Sequence, residues 1–225
     1  MEAGLYLVGT PIGNLEDMTF RAVRVLKEVD TVLAEDTRKT GFLLKHFEVQ
    51  TPMVSCHKFN ERSRVDRVVA DIQSGQAVAL VSDAGMPLIS DPGSRLVTAM
   101  RAAELTVTAV PGPTALTTAL ALSGWGDEGF VFAGFPPNKS AGRRRVLEGF
   151  REEARPVVFY ESTHRIRKYL ADVNELLADR PVFVARELTK KFETLVAGTA
   201  EEVDAFFETH SAKGEFVVVL GPSTK

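Results

Sequence analysis

Short apolar runs alternate along this chain with stretches whose apolar residues recur at helical spacing. The run Ala77-Val78-Ala79-Leu80-Val81 has no polar interruption and reads as a strand buried on both faces. Leu5–Val8, Thr31–Ala34, Met53–Cys56 and Thr106–Val110 read as four further strands of the same set. Between them, residues 19–28, 42–47 and 94–103 carry helical patterns, and His57–Glu61 leads into another helix that runs to about Gln73; in the first, the apolar positions are Phe20, Val23, Val25 and Leu26. Strands that alternate with helices predict parallel pairing through right-handed crossovers. Pro111-Gly112-Pro113 ends the fifth strand, because proline fixes φ and removes an amide donor. A helix of small residues over 114–122 follows. A second set then begins: strands at 130–134, 157–160, 182–185, 194–198 and 216–220, with helices from Lys139, over 165–177 and over 200–207. The pattern predicts an α/β protein of two domains, residues 1–112 with a mostly parallel sheet and residues 113–225 with a mixed one. No internal repeat is visible.

The segment after the fourth strand breaks this rhythm. Ser82 to Gly93, SDAGMPLISDPG, holds two Asp, two Gly, two Pro and two Ser in twelve residues, so it is neither strand nor helix. A plain turn, with Asp91-Pro92 capping the helix that starts near Gly93, would need fewer residues. Long ordered loops at the carboxyl ends of strands in open α/β sheets are where ligands bind, so a ligand loop is expected here. Gly9-Thr-Pro-Ile-Gly13 follows the first strand where a dinucleotide fold carries its glycine turn, and Glu35-Asp36 ends the next strand where an acidic residue would take a ribose hydroxyl. The spacing is G-x-x-x-G, however, and Pro11 deletes an amide that a pyrophosphate would use. A tight turn with polar residues at a strand end competes with that reading. Asp36 or Thr37 can cap the next helix, while Arg38 in its first turn opposes the helix dipole and calls for an anion outside the helix.

Composition narrows the classes. The 225 residues are 44% apolar and 25% charged, without a low-complexity tract, which is enough for one large domain or two of about a hundred residues. No apolar run approaches the ~20 residues that span a bilayer, and the N-terminus lacks the basic and apolar regions of a signal peptide, so a cytoplasmic protein is expected. The single cysteine, Cys56, rules out an internal disulfide and fits a reducing compartment. His46, His57, His164 and His210 show no ligand spacing, so no metal site is expected. The net charge of −3 means that any nucleic acid would be held by local basic patches. Lys139 to Arg145 places four cations in seven residues; a solvated helix face and a phosphate contact are both open readings. Tyr160–Arg165 and Arg186–Lys190 put further charge at two strand ends, where salt bridges or a site could explain them.

GTPIGNL, AEDTR, SDAGMPLISDPG, PGPTA, GRRR, FYESTHR and ARELTK occur in the order found in the bacterial 16S ribosomal RNA ribose (cytidine-2′-O-)methyltransferases. The chain resembles this branch of the tetrapyrrole-methylase superfamily from about Leu5 to Leu220. Several multi-residue blocks in fixed order are far more specific than one glycine motif. The resemblance implies two α/β domains of the class III methyltransferase type, with S-adenosylmethionine bent into the cleft between them, in a homodimer that acts on 16S ribosomal RNA or the small ribosomal subunit. It implies donor contacts at Val8, Pro11, Gly85, Met86, Pro87, Ile89, Thr114, Ala115, Tyr160 and Leu188, with Asp83 orienting the donor loop. Glu35 and Asp36 would face the substrate side. Many relatives continue into a helical C-terminal extension that helps grip RNA; the sequence here ends at Lys225, which bears on RNA affinity rather than on donor binding.

Transfer to a ribose 2′-hydroxyl needs alignment, worth roughly 7–11 kcal/mol in well-oriented reactions, and a base, worth about 10²–10⁴-fold. Lys190 in neutral form, Glu161 and Glu187 are the expected bases, and Arg186 would hold a phosphate or a developing alkoxide. Arg38, Arg143, Arg144, Arg145 and Arg165 are the expected RNA-phosphate contacts. A methylase of a small tetrapyrrole is the alternative within the superfamily, against which the GRRR and AEDTR blocks argue. A non-catalytic nucleotide-binding regulator built on the first glycine turn is a third reading.

Overall fold

The computed structural model describes residues 1–127 and 129–223; Glu128, Thr224 and Lys225, the last two at the end of the second expected domain, lie outside them. The chain divides into two compact units, Met1–Thr114 and Ala115–Lys225.

The first unit carries β1 (Gly4–Val8), α1 (Phe20–Glu28), β2 (Thr31–Ala34), α2 (Thr37–His46), β3 (Met53–Ser55), α3 (Glu61–Gln73), β4 (Ala77–Val81), α4 (Ser94–Ala102) and β5 (Val107–Val110). All five strands are parallel, in the order β3-β2-β4-β1-β5. β4 and β1 lie inside the sheet, and β4 is buried at every position, as its unbroken apolar run requires. Side chains alternate across the pleat into two cores. Tyr6, Val8, Ala79 and Val81 pack with Ala22, Val25 and Leu26 of α1, while Leu5, Val78 and Leu80 pack with Val68 and Ile72 of α3 and Leu96 and Met100 of α4. Thr19 caps α1 by accepting the Ala22 amide at 3.1 Å. Arg21 Nη2 donates to the Ala109 carbonyl at 3.1 Å, occupying a backbone group of the edge strand β5.

The second unit carries α5 (Ala115–Ser123), β6 (Val131–Gly134), α6 (Ser140–Glu148), β7 (Val157–Ser162), α7 (Ile166–Leu176), β8 (Val182–Arg186), β9 (Thr194–Gly198), α8 (Ala200–Thr209) and β10 (Glu215–Leu220). Its sheet is mixed, in the order β6-β7-β10-β8-β9. β6 and β7 run parallel, whereas β10 is antiparallel to both neighbours and β9 is antiparallel to β8. Val157, Phe159, Val182, Val184, Phe216 and Val218 turn one face onto α6, α7 and α8. The pairing of β6 with β7 slips between Phe132 and Gly134, where Gly134 has φ +66°. A bulge of this kind re-aims the side chains that follow it.

Candidate active site

In the first unit, three loops leave the carboxyl ends of adjacent strands β4, β1 and β5 and meet. Thr10 and Gly85 exchange both backbone hydrogen bonds at 3.0 Å, which fastens the loop after β1 to the loop after β4. The approach is tightest at Gly9. A Cβ there would lie 2.7 Å from backbone atoms of Gly112 and 2.7 Å from Met86 Sδ, so no side chain fits. The segment 82–93 is backbone-strained as well as long. Gly85, Leu88, Ser90 and Gly93 have φ of +77°, +72°, +69° and +129°. For Leu88 and Ser90 this costs about 1–2 kcal/mol each, and strain of that kind collects at ligand clamps. The loop therefore brings Gly85 and Met86 against the turn that carries Gly9 and Thr10; Pro87 is buried and Ile89 exposed on the same segment. Val8 differs from its expected part: its side chain is fully buried in the core, so only its backbone faces the turn. Thr114 closes this unit. Ala115, Tyr160 and Leu188 belong to the second one.

An acidic edge lies at the ends of β2 and β4. Asp83 orients rather than reacts. Its Oδ1 accepts the Asp36 amide at 3.0 Å and its Oδ2 accepts from Lys39 Nζ at 2.8 Å. Asp36 is the helix cap. It accepts the Arg38 amide at 2.9 Å and pairs with the Arg38 guanidinium at 2.7 Å, which holds its carboxyl below the usual carboxylate range. The anion that Arg38 calls for is thus its own neighbour's side chain, although Arg38 remains 89% exposed. Asp91 does not cap α4. Gly93 is the N-cap position and makes no side-chain bond, while Glu61 of α3 accepts the Arg95 amide at 2.8 Å and the Leu96 amide at 3.4 Å. Asp91 is left in an environment that favours its neutral form. Burial, helped by Glu35 and then Asp83 and opposed by the Ser82 hydroxyl, pushes it up to about 6. Burial and Asp83 also raise Glu35. Sequence reading gave Asp91 only a capping role. The signal that could have separated it was Glu61, placed where it competes for the same amides.

The second unit corrects several expectations. Arg143 is 4% exposed, and its Nε donates to Asp172 of α7 at 2.6 Å, so it cannot reach a phosphate. Arg144 is held between Asp172 at 3.2 Å and Glu175 at 2.5 Å. Only Arg145 of the three stays exposed on α6 without such a pair among the described residues. The basic run is therefore a helix-to-helix clamp with one outward cation. Lys190 is not a neutral base. Burial pulls its pKa down, but hydrogen bonds to Glu215 and Glu187 outweigh that and raise it. Glu187 is partly desolvated, yet the Glu215 amide and Lys190 keep it ionised below its usual range. Arg186 is buried and spends its guanidinium on the Lys213 carbonyl at 2.6 Å, the Phe192 carbonyl at 3.1 Å and the Thr194 hydroxyl at 3.2 Å. These three residues hold the β8–β9 connection, in which Glu187 and Thr189 have φ of +52° and +63° around the buried Leu188.

Glu161 is fully buried at the end of β7. Its Oε1 pairs with Arg165 Nη2 at 2.6 Å and accepts the Ser162 amide at 2.8 Å. Burial raises its pKa against those partners. Arg165 in turn donates to the Pro136 carbonyl at 3.1 Å and to Asn138 Oδ1. Glu161 and Arg165 are thus spent on each other and on the loop after β6, rather than on a proton or a phosphate. Among the described residues no cluster of His, Cys, Asp and Glu could hold a metal ion, and no helix is long and apolar enough to cross a membrane.

The chain matches known proteins in sequence and in fold. Residues 4–204 match the family of tetrapyrrole (corrin/porphyrin) methylases. A Synechocystis protein named ribosomal RNA small subunit methyltransferase I is 47% identical over 98% of this chain and 79% of its own. A Thermotoga maritima protein of the same name is 45% identical over 96% of this chain and 97% of its own. Among solved structures, the chain is similar to the uroporphyrin-III C-methyltransferase of Thermus thermophilus, with a TM-score of 0.69 and 20% identity over 97% of this chain and 94% of that one. It is also similar to the cobalt precorrin-4 methyltransferase, with a TM-score of 0.70 and 16% identity over 96% of this chain and 94% of that one.

Proposed function

The chain belongs to the tetrapyrrole methylase family, in the branch of the ribosomal RNA small subunit methyltransferases I, and from that membership we propose that it transfers a methyl group from S-adenosylmethionine to small-subunit ribosomal RNA, at the ribose 2′-hydroxyl of a cytidine in the decoding region of the 16S molecule. The observation that carries this reading is the 45–47% identity to proteins of that name over 96–98% of the chain.

The residues present suit the donor. Gly9, Gly85 and Gly112 bring bare backbone to one place, with the Met86 side chain against Gly9 and Ile12 against Gly85; Pro11, Pro87 and Ile89 join the donor set on the resemblance. These residues would hold S-adenosylmethionine mostly through amides, carbonyls and apolar contact. Thr114, Ala115, Tyr160 and Leu188 are added to the donor set on the resemblance alone. Bound there, S-adenosylmethionine supplies an electrophilic methyl group on a sulfonium. The chain contributes alignment first: a preformed, mutually fastened pair of loops loses little freedom when it engages a ligand, and orientation is worth roughly 7–11 kcal/mol in well-aligned transfers.

The chain also contributes a proton acceptor. Lys190, Glu187 and Glu161 are occupied as ion-pair partners, whereas the Asp91 carboxyl, with a pKa near 6, is largely ionised at neutral pH and close enough to it to act as a base. Asp91 would accept the hydroxyl proton, with Ser82 and Asp83 fixing the loop around it. Arg145 and Arg38, both exposed, would meet RNA phosphates, Arg38 by exchanging its Asp36 partner for one. A homodimer in the cytoplasm is the setting the reading implies.

Incubation of the protein with tritiated S-adenosylmethionine and either small ribosomal subunits or uroporphyrinogen III tests the reading. Label should enter the RNA and be recovered, after nuclease digestion, in 2′-O-methylcytidine. Label in the tetrapyrrole alone, or in an RNA base, would sink it.

A further inference from the structure

Phe135 is 55% exposed, yet nothing about its position is loose. Val131 and Ala133 of β6 face the core beneath α6–α8, and Phe132 points to the opposite face, against Tyr160 of β7. Strict alternation would send Phe135 to the core side with Val131 and Ala133. The slip in pairing at Gly134, with φ +66°, turns it instead to the Tyr160 face, where the two rings stand 5.5 Å apart. Phe132 braces Tyr160 from its own position at 5.0 Å. The residues just after Phe135 are latched by Arg165, which bonds the Pro136 carbonyl and the Asn138 side chain and is itself paired with the fully buried Glu161. A bulge, a ring brace and a buried ion pair together hold one aromatic ring out in water at the end of a strand. A loop that only joined β6 to α6 would need none of these.

We propose that Phe135, backed by Tyr160 and Phe132, is a stacking platform for a nucleobase of the RNA substrate, and that the Glu161–Arg165 pair is the positioning device that keeps the platform rigid. The inference rests on the RNA-methylating reading above and deepens it. A base offers an apolar face to an aromatic ring in any sequence context, and stacking of this kind is worth ~1–3 kcal/mol per base.

Phe135→Leu, Phe135→Ala and Phe135→Trp should be compared with the wild type for binding to small-subunit RNA, for S-adenosylmethionine affinity by calorimetry and for mass by light scattering. The leucine and alanine forms should bind RNA about 5- to 150-fold more weakly, the span that corresponds to losing one stack, with donor affinity and mass unchanged. The tryptophan form should bind at least as well as the wild type, and the emission of its added indole should be quenched by RNA. Glu161→Gln should weaken RNA binding in the same direction without changing donor affinity. Wild-type RNA affinity in the leucine form, or a change of mass that accompanies every loss, would overturn the platform. Methyl transfer by the wild type is measured alongside. If transfer to RNA persists while the leucine form binds normally, the platform alone fails; if the wild type transfers nothing to RNA, the functional reading fails and takes the platform with it.

Discussion

Arg143 and Arg145 lie two positions apart on α6 and meet opposite fates, which makes them a matched pair for experiment. Removing Arg143 leaves Asp172 buried with half its partners gone, and breaking a buried pair from one side costs about 3–5 kcal/mol. Arg143→Ala should therefore lower the unfolding midpoint in denaturant sharply. Arg145→Ala should leave the midpoint alone and reduce the slope of log K for RNA against log salt by about one. Asp91 carries a prediction in pH. Its carboxyl titrates near 6 when folded and near 3.8 when free, so between those values the folded chain holds more protons than the unfolded one, and stability falls as pH rises through that window. Asp91→Asn should flatten that fall and stabilise the protein at pH 7.5 by about 1–2 kcal/mol, a figure reduced for the water that reaches the loop. If Asp91 is also the base, the same variant should lose about 10²–10⁴-fold in kcat while keeping its donor affinity.

At the scale of elements, α4 starts without a cap of its own and borrows one from α3. Glu61→Ala should cost about 1–2 kcal/mol, read as a lower thermal midpoint, because two amides at the start of α4 lose their acceptor. Gly9→Ala probes the meeting of the loops. The added methyl has backbone of Gly112 in its way, so the loops after β1 and β5 must part. Donor affinity measured by calorimetry should fall at least tenfold, with the pairing of the strands retained in the circular dichroism spectrum. These elements also mark how far sequence reaches. The run Ala77–Val81 and the breaker cluster after it were legible because period and turn chemistry are local properties. The choice of partner was not legible. Nothing in GRRR distinguishes the arginine that turns inward to Asp172 from the one that faces water, since that is decided by α7, nearly thirty residues further on. Lys190 was read as a free amine for the same reason: Glu215 closes on it from β10. A strand-end charge read one residue at a time looks like chemistry, and the fold reveals it as scaffolding.

For the whole molecule, a net charge of −3 and an arginine run mostly spent on internal pairs mean that electrostatics alone hold RNA poorly. Shape and stacking must then carry the recognition, which agrees with a ring presented on purpose at the end of β6. The reciprocal bond between Thr10 and Gly85 has its own consequence for how the molecule breathes. Two surface connections that would otherwise flutter separately can open only in concert, and each opening must tear the other's amide from its carbonyl. In deuterium oxide the protons on these two nitrogens should outlast those of every other loop, surviving for times usually reserved for interior strands.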